Sequence, residues 1–275
     1  MRQILLLVVV CFPLSQFIVY PVLGESSAHI GLVAAELSLL ALAALALRLY
    51  RWIPEDVFLL NAVPMAALWS TLLAAMGAAL LASAFDQVVA GGLEAIAWVP
   101  PLSAEQMLVR IQLITDMPSA LTVVLAVVLI PALCEEVLFR GLVFTGLHYH
   151  HGAAAAIVGS AFLFAAAHLN PWQFPALFLL GLFLGGLVHW THSIYPAILA
   201  HAVNNALSVL AVNVRAHTGI DVLGAVESVP ALTICVAVVA LAAGVHGLRR
   251  ISPTMPILST IARLEQTNEP ATGWR

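Results

Sequence analysis

Two adjacent glutamates, Glu135 and Glu136, and an arginine, Arg140, lie inside an apolar stretch that extends from residue 121 to residue 147. An ionisable group at the centre of a bilayer costs about 2.5–3.5 kcal/mol on insertion scales, so such groups indicate a functional site. Glu136 and Arg140 are four residues apart and share one helix face, where they can neutralise each other. Glu135 is rotated by about 100° from Glu136 and lies outside this pair, which suits a general base.

A second pair, Phe164 and His168, places an aromatic ring and an imidazole on one face of the next predicted helix. Residues 151–152 lie midway between Glu135 and His168, where we expect a hairpin turn. Arms of equal length, at about 1.5 Å per residue, bring Glu135 and His168 to a similar depth in the membrane. The spacing therefore predicts that these two side chains are neighbours.

A third pair, His201 and Asn205, lies on one face of a later predicted helix, with Asn204 beside it. Two neutral donors side by side suit the stabilisation of a developing oxyanion, and they equally suit a metal ligand with a supporting hydrogen bond. His201 follows closely on the preceding turn. It reaches the depth of the other two pairs only if the sixth helix is short, tilted or broken near Asn170 and Pro171.

Simpler interpretations exist for each pair. Histidine and asparagine within a membrane often form hydrogen bonds between helices without chemistry, and paired glutamates also suit structural pairing or proton transport. Three such pairs on nearby helices favour one common site. Glu36 and Asn61 also lie in apolar stretches, where we expect hydrogen bonds between helices; Glu36 must find a donor or stay protonated.

The composition defines the elements that position these residues. Apolar residues make up 62% of the 275 residues and charged residues 9%, whereas a soluble domain carries roughly 25% charged residues. We therefore predict an all-α polytopic membrane protein with the site among helices 4, 5 and 7 of about eight spans. The predicted spans are 4–22, 30–48, 57–85, 119–147, 153–170, 173–190, 195–213 and 229–247.

The distribution of arginine predicts the orientation, since the chain has no lysine. Only Arg110 and Arg215 fall on one side of the eight predicted spans. On the other side lie Arg2, Arg48, Arg51, Arg249, Arg250, Arg263 and Arg275. Because the side with more arginine faces the cytoplasm, we expect both termini there. The frequent use of alanine, and of arginine in place of lysine, suggests a bacterial inner membrane protein. No basic stripe suggests a nucleic acid partner; the lipid bilayer is the expected surrounding.

The expected organisation has four parts. Residues 1–118 hold the N-terminal transmembrane helices and a connection at 86–118 whose mixed character suits an interfacial helix or lid. Residues 119–213 form the core that carries the three pairs, residues 214–251 hold the last transmembrane helix, and residues 252–275 form a cytoplasmic tail.

The three motifs also occur together in one known family. In order, and over roughly residues 119–213, Glu135-Glu136-x-x-x-Arg140, Phe164-x-x-x-His168 and His201-x-x-x-Asn205 resemble those of the CAAX protease and bacteriocin-processing (CPBP or Abi) family of intramembrane proteases. The chain is similar in this to type II CAAX prenyl endopeptidases. The first 118 residues and the tail carry no resemblance of this kind.

The resemblance implies an endopeptidase for membrane-anchored proteins or peptides, acting in C-terminal signal trimming, bacteriocin processing or CAAX-like processing. It implies that Glu135 and His168 activate a water molecule and that His201 and Asn205 form the oxyanion site. The supporting residues would be Glu136, Arg140, Phe164 and Asn204. A transporter, or an immunity or scaffold protein without enzymatic activity, is the alternative from outside the family.

The same family has been described both as glutamic-type proteases and as metalloproteases. In the metal version Glu135, His168 and His201 would form a two-histidine, one-glutamate set with an open position, which zinc accepts. The strongest zinc-protease signature, His-Glu-x-x-His, is absent from the sequence. We therefore expect a metal-free glutamate mechanism without a cofactor, and keep zinc as the alternative.

Overall fold

The computed structural model describes residues 15, 19–24, 27–51, 53–220 and 229–251, and the statements below refer to these residues. Their regular secondary structure is entirely helical, which confirms the all-α polytopic fold. The helices are α1 (Tyr20–Gly24), α2 (Ala28–Tyr50), α3 (Pro54–Val57), α4 (Met65–Ala95), α5 (Leu102–Gln112), α6 (Met117–Ala167), α7 (Phe174–Thr191), α8 (Tyr195–Thr218) and α9 (Ala231–Ile251). Most of the predicted first span (4–22) and all of the predicted tail (252–275) lie outside the described residues.

Six of these helices are long and apolar enough to cross a membrane, namely α2, α4, α6, α7, α8 and α9. Helix α6 has 51 residues, which is about 75 Å of α-helix, against roughly 30 Å of hydrocarbon. Gly152 interrupts it with φ 80° and ψ 178°. Gly159 packs against Leu147, which shows that the chain folds back at Gly152. Helix α6 is therefore a hairpin of two arms, residues 117–151 and 153–167, with the turn where the sequence predicts it.

The first arm of α6 is not a regular α-helix. It is π-helical over Val124–Leu129 and again over Val137–Val143, with the α-helical piece Ile130–Glu136 between them. A π-helical turn holds more residues than an α-helical turn and often marks a functional site. The two glutamates end the α-helical piece, so their side chains lie where the helix changes its pitch.

Segment 57–61, between α3 and α4, connects the first arm of α6 to the turn between α7 and α8. Thr145 and Ser193, which supply two of the contacts, are buried. Irregular backbone at membrane depth is tolerated where protein groups satisfy it. Four hydrogen bonds cross this junction: Thr145 Oγ1 to Val57 O (2.9 Å), Ile194 N to Leu59 O (3.1 Å), Ser193 Oγ to Asn61 O (2.6 Å) and Asn61 Nδ2 to His192 O (2.6 Å).

This junction explains how His201 reaches the depth of Glu136. Thr145 lies nine residues after Glu136, and His192 lies nine residues before His201. Thr145 and His192 both form hydrogen bonds to segment 57–61. The first arm of α6 and helix α8 are therefore fixed relative to the same segment, and Glu136 and His201 lie equally many residues from it. Helix α7 has 18 residues, as in the predicted span, and starts after a break at residues 168–173, which is the break near Asn170 and Pro171 that the sequence offered as one of three alternatives.

At the opposite end of the bundle, α5 links the start of α2 to the end of α8. The His29 ring bonds to Ile111 O (2.7 Å), and Asn213 Nδ2 donates to Gln112 O (2.8 Å). Leu102 and Val109 remain exposed on α5. This helix lies within the connection at 86–118, and its position at the membrane surface stays a prediction.

The contact between α4 and α9 can be tested with two glycines of α4. A Cβ atom at Gly77 would lie 2.5 Å from Ala237 O and 2.6 Å from Leu241 N, whereas a Cβ at Gly92 meets nothing within 4 Å. We expect Gly77→Ala to destabilise the protein by about 1–3 kcal/mol, because the backbone of α9 must move. Gly92→Ala should stabilise it by up to about 1 kcal/mol through helix propensity. Thermal unfolding in detergent measures both, and equal midpoints would contradict the packing.

Candidate active site

A buried ion pair lies at the centre of the site. Glu136 and Arg140 have no solvent exposure, and Arg140 Nη1 donates to Glu136 Oε1 at 2.8 Å. The guanidinium also donates through Nη2 to the carbonyl of Gly181 on α7 (3.1 Å) and lies 4.5 Å from the centre of the Phe164 ring. The predicted pairing is confirmed. Because the partners come from α7 and from both arms of α6, the ion pair also fixes these elements against one another.

His201 on α8 connects the ion pair to the second glutamate. Its Nδ1 lies 2.9 Å from Glu136 Oε1, the oxygen that Arg140 also contacts. An ionised carboxylate only accepts hydrogen bonds, so Nδ1 carries the proton. The other ring nitrogen, Nε2, then faces Glu135 Oε2 at 3.9 Å. One imidazole therefore lies between the two glutamates.

His168, at the end of the second arm of α6, faces the same oxygen. Its Nδ1 lies 2.8 Å from the carbonyl oxygen of Phe164, which can only accept, so Nδ1 carries the proton. Its Nε2 lies 3.9 Å from Glu135 Oε2, as the equal arm lengths of the hairpin predicted. The side chain of His168 is 29% exposed, against 4% for His201, so the site is open to the surroundings of the protein on the His168 side.

The ring of Phe164 holds both imidazoles in place. It contacts His168 and His201 edge to face, with centroid distances of 4.8 and 5.6 Å, and Phe139 packs on it at 5.6 Å. Phe164 is fully buried. Phe164, which the sequence predicted as a supporting residue, therefore packs between the two histidines and the guanidinium of Arg140.

The distances define the chemistry that the site can perform. A separation of 3.9 Å is too long for a direct hydrogen bond, and it suits an oxygen atom held between the carboxylate and the two imidazoles. Glu135 Oε2 is buried and has no direct hydrogen-bond partner among the described residues. In their neutral forms both rings present an unprotonated Nε2 to this position, because Nδ1 carries the proton in each. The arrangement suits general-base activation of water.

Asn205 and Asn204 are placed differently from the other residues. Asn205 Nδ2 donates to the carbonyl of Val127 in the first π-helical stretch (3.2 Å), and Asn204 Nδ2 lies 3.5 Å from Asn205 Oδ1. Asn205 therefore attaches α8 to the first arm of α6, one helical turn from His201. The predicted pairing of His201 with Asn205 as oxyanion donors stays a prediction.

The zinc alternative can be compared with the same geometry. Ligands at about 2.0–2.1 Å from a tetrahedral zinc ion lie roughly 3.4 Å from one another, which is less than the 3.9 Å between Glu135 Oε2 and each Nε2. Within the part of the chain that the structure describes, no group of three or more histidine, cysteine, aspartate or glutamate side chains is arranged to hold a metal ion. As placed, Glu135, His168 and His201 do not fit zinc.

The site contains one carboxyl group that the three motifs do not include. Glu36 on α2 is 6% exposed, and its carboxyl group lies close enough to that of Glu135 for the two to interact electrostatically. The sequence signal was a single carboxylate in an apolar stretch, which predicted a hydrogen bond between helices but not its partner. The backbone carbonyls of Gly181 and Val127 gave no sequence signal at all.

Comparison with known proteins supports the resemblance. Residues 117–207, about a third of the chain, match the family described as type II CAAX prenyl endopeptidase Rce1-like. The matched segment contains all three motifs, so the resemblance is confirmed. No curated protein and no solved structure matches the chain. Together, the apolar helices and the match indicate an integral membrane protein with a segment that resembles a family of endopeptidases.

The buried ion pair predicts a large effect on stability. We expect Arg140→Met to destabilise the protein by about 3–5 kcal/mol, because Glu136 is left buried without its cation. Adding Glu136→Gln should restore part of this loss, since the uncompensated charge is then removed. Unfolding by denaturant in detergent measures the free energy of unfolding of Arg140→Met, Glu136→Gln and the double variant. Arg110→Met, on the exposed side of α5, is the control. If the double variant loses the sum of the single effects, the two side chains are not coupled.

Proposed function

We propose that the protein is an intramembrane endopeptidase that hydrolyses a peptide bond of a membrane-anchored protein or peptide. The observation that carries the proposal is the position of Glu135 Oε2, which faces Nε2 of both His168 and His201 at 3.9 Å. A buried carboxylate opposite two imidazole nitrogens is suited to hold and deprotonate a water molecule. The match to an endopeptidase family over the same residues supports this reaction class.

The proposed reaction has two steps. A water molecule between Glu135 and His168 gives one proton to Glu135, while His168 Nε2 accepts a hydrogen bond from its second O–H and orients it. The water oxygen bonds to the substrate carbonyl carbon, whose electron pair moves to the carbonyl oxygen. The proton then passes from Glu135 to the amide nitrogen as the C–N bond breaks, and the amine leaves.

The oxyanion of the intermediate needs hydrogen-bond donors. We assign this role to Asn205, through the Nδ2–H that is not bonded to the Val127 carbonyl, and to His201 in its protonated form. Glu136 accepts the Nδ1 hydrogen of His201, so Nε2 is the ring atom that faces the site and donates when it carries a proton. A preorganised donor of this kind is typically worth about 2.7–4 kcal/mol in the transition state.

Metal-free catalysis is the version that we propose, since the three side chains as placed do not fit zinc. One observation favours the zinc alternative. The contact of Glu136 with His201 Nδ1 is the kind of support that metal-bound histidines receive.

The substrate and the location belong to the same proposal. Because the site lies among helices that are long and apolar enough to cross a membrane, a membrane-anchored substrate is the class that would reach it. Trimming of a C-terminal signal, bacteriocin maturation and CAAX-like processing are the processes in which it would act. We place the protein in a bacterial inner membrane with both termini in the cytoplasm, following the arginine distribution. The core of the enzyme would be the predicted segment 119–213. The geometry offers no support for a transporter or for a scaffold without activity.

Removal of the proposed base should abolish cleavage. We expect Glu135→Gln and His168→Ala, purified in detergent, to lower kcat for a membrane-anchored peptide by about 10²–10⁴-fold with little change in KM. Glu105→Gln, on the exposed side of α5, is the matched control. Circular dichroism checks that the variants are folded. If folded Glu135→Gln and His168→Ala still cleave at the rate of the control, these residues are not the catalytic pair.

A chelator separates the two mechanisms. We expect incubation with a zinc chelator, followed by dialysis, to leave kcat unchanged, because Glu135 and His168 activate the water without a metal. The measurement is peptide cleavage before and after treatment, together with the zinc content of the purified protein. Complete inhibition that added zinc reverses would replace the metal-free mechanism with the zinc version.

A further inference from the structure

Helix α8 has a polar face that begins at the site. It consists of His201, Asn204, Asn205 and Ser208, which are three or four residues apart and therefore share one side of the helix. Among the six helices that can cross a membrane, α8 is the least apolar. Polar side chains inside a bilayer are unfavourable unless they have polar partners, so this face requires an explanation.

The exposure of the polar face increases with distance from the site. His201 is buried, Asn204 and Asn205 are half-buried, and Ser208 is exposed. Ser208 Oγ donates to Oε1 of Gln112 in α5 at 2.9 Å. The polar face therefore extends from the buried histidine to the end of the bundle where α5 lies, over about 10 Å of helix.

Hydrogen bonds within the protein satisfy only part of this face. A carboxamide offers two N–H groups and a carbonyl oxygen that can accept twice. The amide of Asn204 has one contact, from its Nδ2 to Asn205 Oδ1 at 3.5 Å, and its own Oδ1 has no direct partner among the described residues. Hydrocarbon cannot satisfy these groups, whereas water can.

The remaining surface of α8 has a different character. Val209 is buried and packs with Val123 and Val128 of the first arm of α6. Leu210 is 55% exposed and lies about 200° around the helix from Ser208. The exposed surface of α8 is therefore polar on one side and apolar on the other, as expected of a helix with water on one side and lipid on the other.

The second arm of α6 indicates the same direction. This arm runs away from the turn at Gly152 and ends at His168, whose side chain is 29% exposed. In the break that follows, Asn170 Nδ2 donates to Gln173 Oε1 at 3.0 Å. The exposed histidine of the site is thus followed by polar side chains as well.

We propose that the polar face of α8 lines an aqueous path, which leads from the end of the bundle at α5 to the carboxyl group of Glu135. Each hydrolysed peptide bond consumes one water molecule, which must reach a site among apolar helices. The use of the path in hydrolysis rests on the proposed function, whereas the access of water does not.

Cysteine labelling tests the path without any cleavage. A water-soluble, cationic methanethiosulfonate reagent reacts with the thiolate, which forms in water and is suppressed in apolar surroundings. The parent for this experiment carries Cys11→Ala and Cys235→Ala and keeps the buried Cys134, whose own labelling is measured first. Ser208→Cys is nearly isosteric, and Leu210→Cys is the matched control on the lipid side.

In lipid nanodiscs we expect Ser208→Cys to be labelled at least about 10-fold faster than Leu210→Cys, because only the thiol of the former meets water. Asn204→Cys should be slower than Ser208→Cys, since it lies deeper, and still faster than Leu210→Cys. Equal rates at positions 208 and 210 would show that the polar face meets lipid. Labelling at 208 without labelling at 204 would show that water stops short of the site. Either result overturns the path.

Peptide cleavage separates the path from the proposed function. We expect the label on Ser208→Cys to lower kcat for a membrane-anchored peptide by about 10-fold or more, because access steps often limit turnover. Reduction of the mixed disulfide should restore kcat, and the reagent should leave the parent unchanged. If fully labelled Ser208→Cys cleaves at its unlabelled rate, the path does not serve hydrolysis. If labelling proceeds as expected and the unlabelled parent and the wild type cleave no peptide, the proposed function fails while the aqueous path stands.

Discussion

The guanidinium of Arg140 is fully buried, and a charge without access to water must receive its partners from the protein. Its own helix supplies Glu136, α7 supplies the carbonyl of Gly181, and the second arm of α6 supplies the ring of Phe164. Each contact forms only when the neighbouring helix has one position along the bundle and one rotation about its own axis. In an apolar surrounding, where hydrophobic burial discriminates little between helix arrangements, this polar centre can specify the packing.

The two adjacent glutamates have different roles in this polar centre. Glu136 is committed to Arg140 and to His201, so it orients an imidazole and is not free to react. Glu135, one residue earlier, points to the region between His168 and His201. Identical side chains thus acquire different roles from their surroundings alone. The carboxyl group of Glu36 lies near that of Glu135, so a third carboxyl group is close to this centre.

Departures from regular helix bring these groups together. The π-helical stretches on either side of Ile130–Glu136 change the direction of the side chains, and Gly152 allows the chain to reverse. Segment 57–61, of which residues 57–59 are buried, fixes the position of the turn before α8. In a membrane protein irregular backbone requires partners, and here Thr145 and Ser193 provide them. The same contacts that satisfy the backbone therefore also place the site residues.

The sequence by itself determined the helical membrane fold, the turn at residues 151–152, the pairing of Glu136 with Arg140 and the proximity of Glu135 to His168. These follow from composition and from spacing within one hairpin, where the helical rise fixes relative depth. Only the tertiary structure decided the depth of His201 and the proximity of Glu36 to Glu135. Both depend on segments far apart in the chain, and residue spacing carries no information about how separate helices are shifted along their axes.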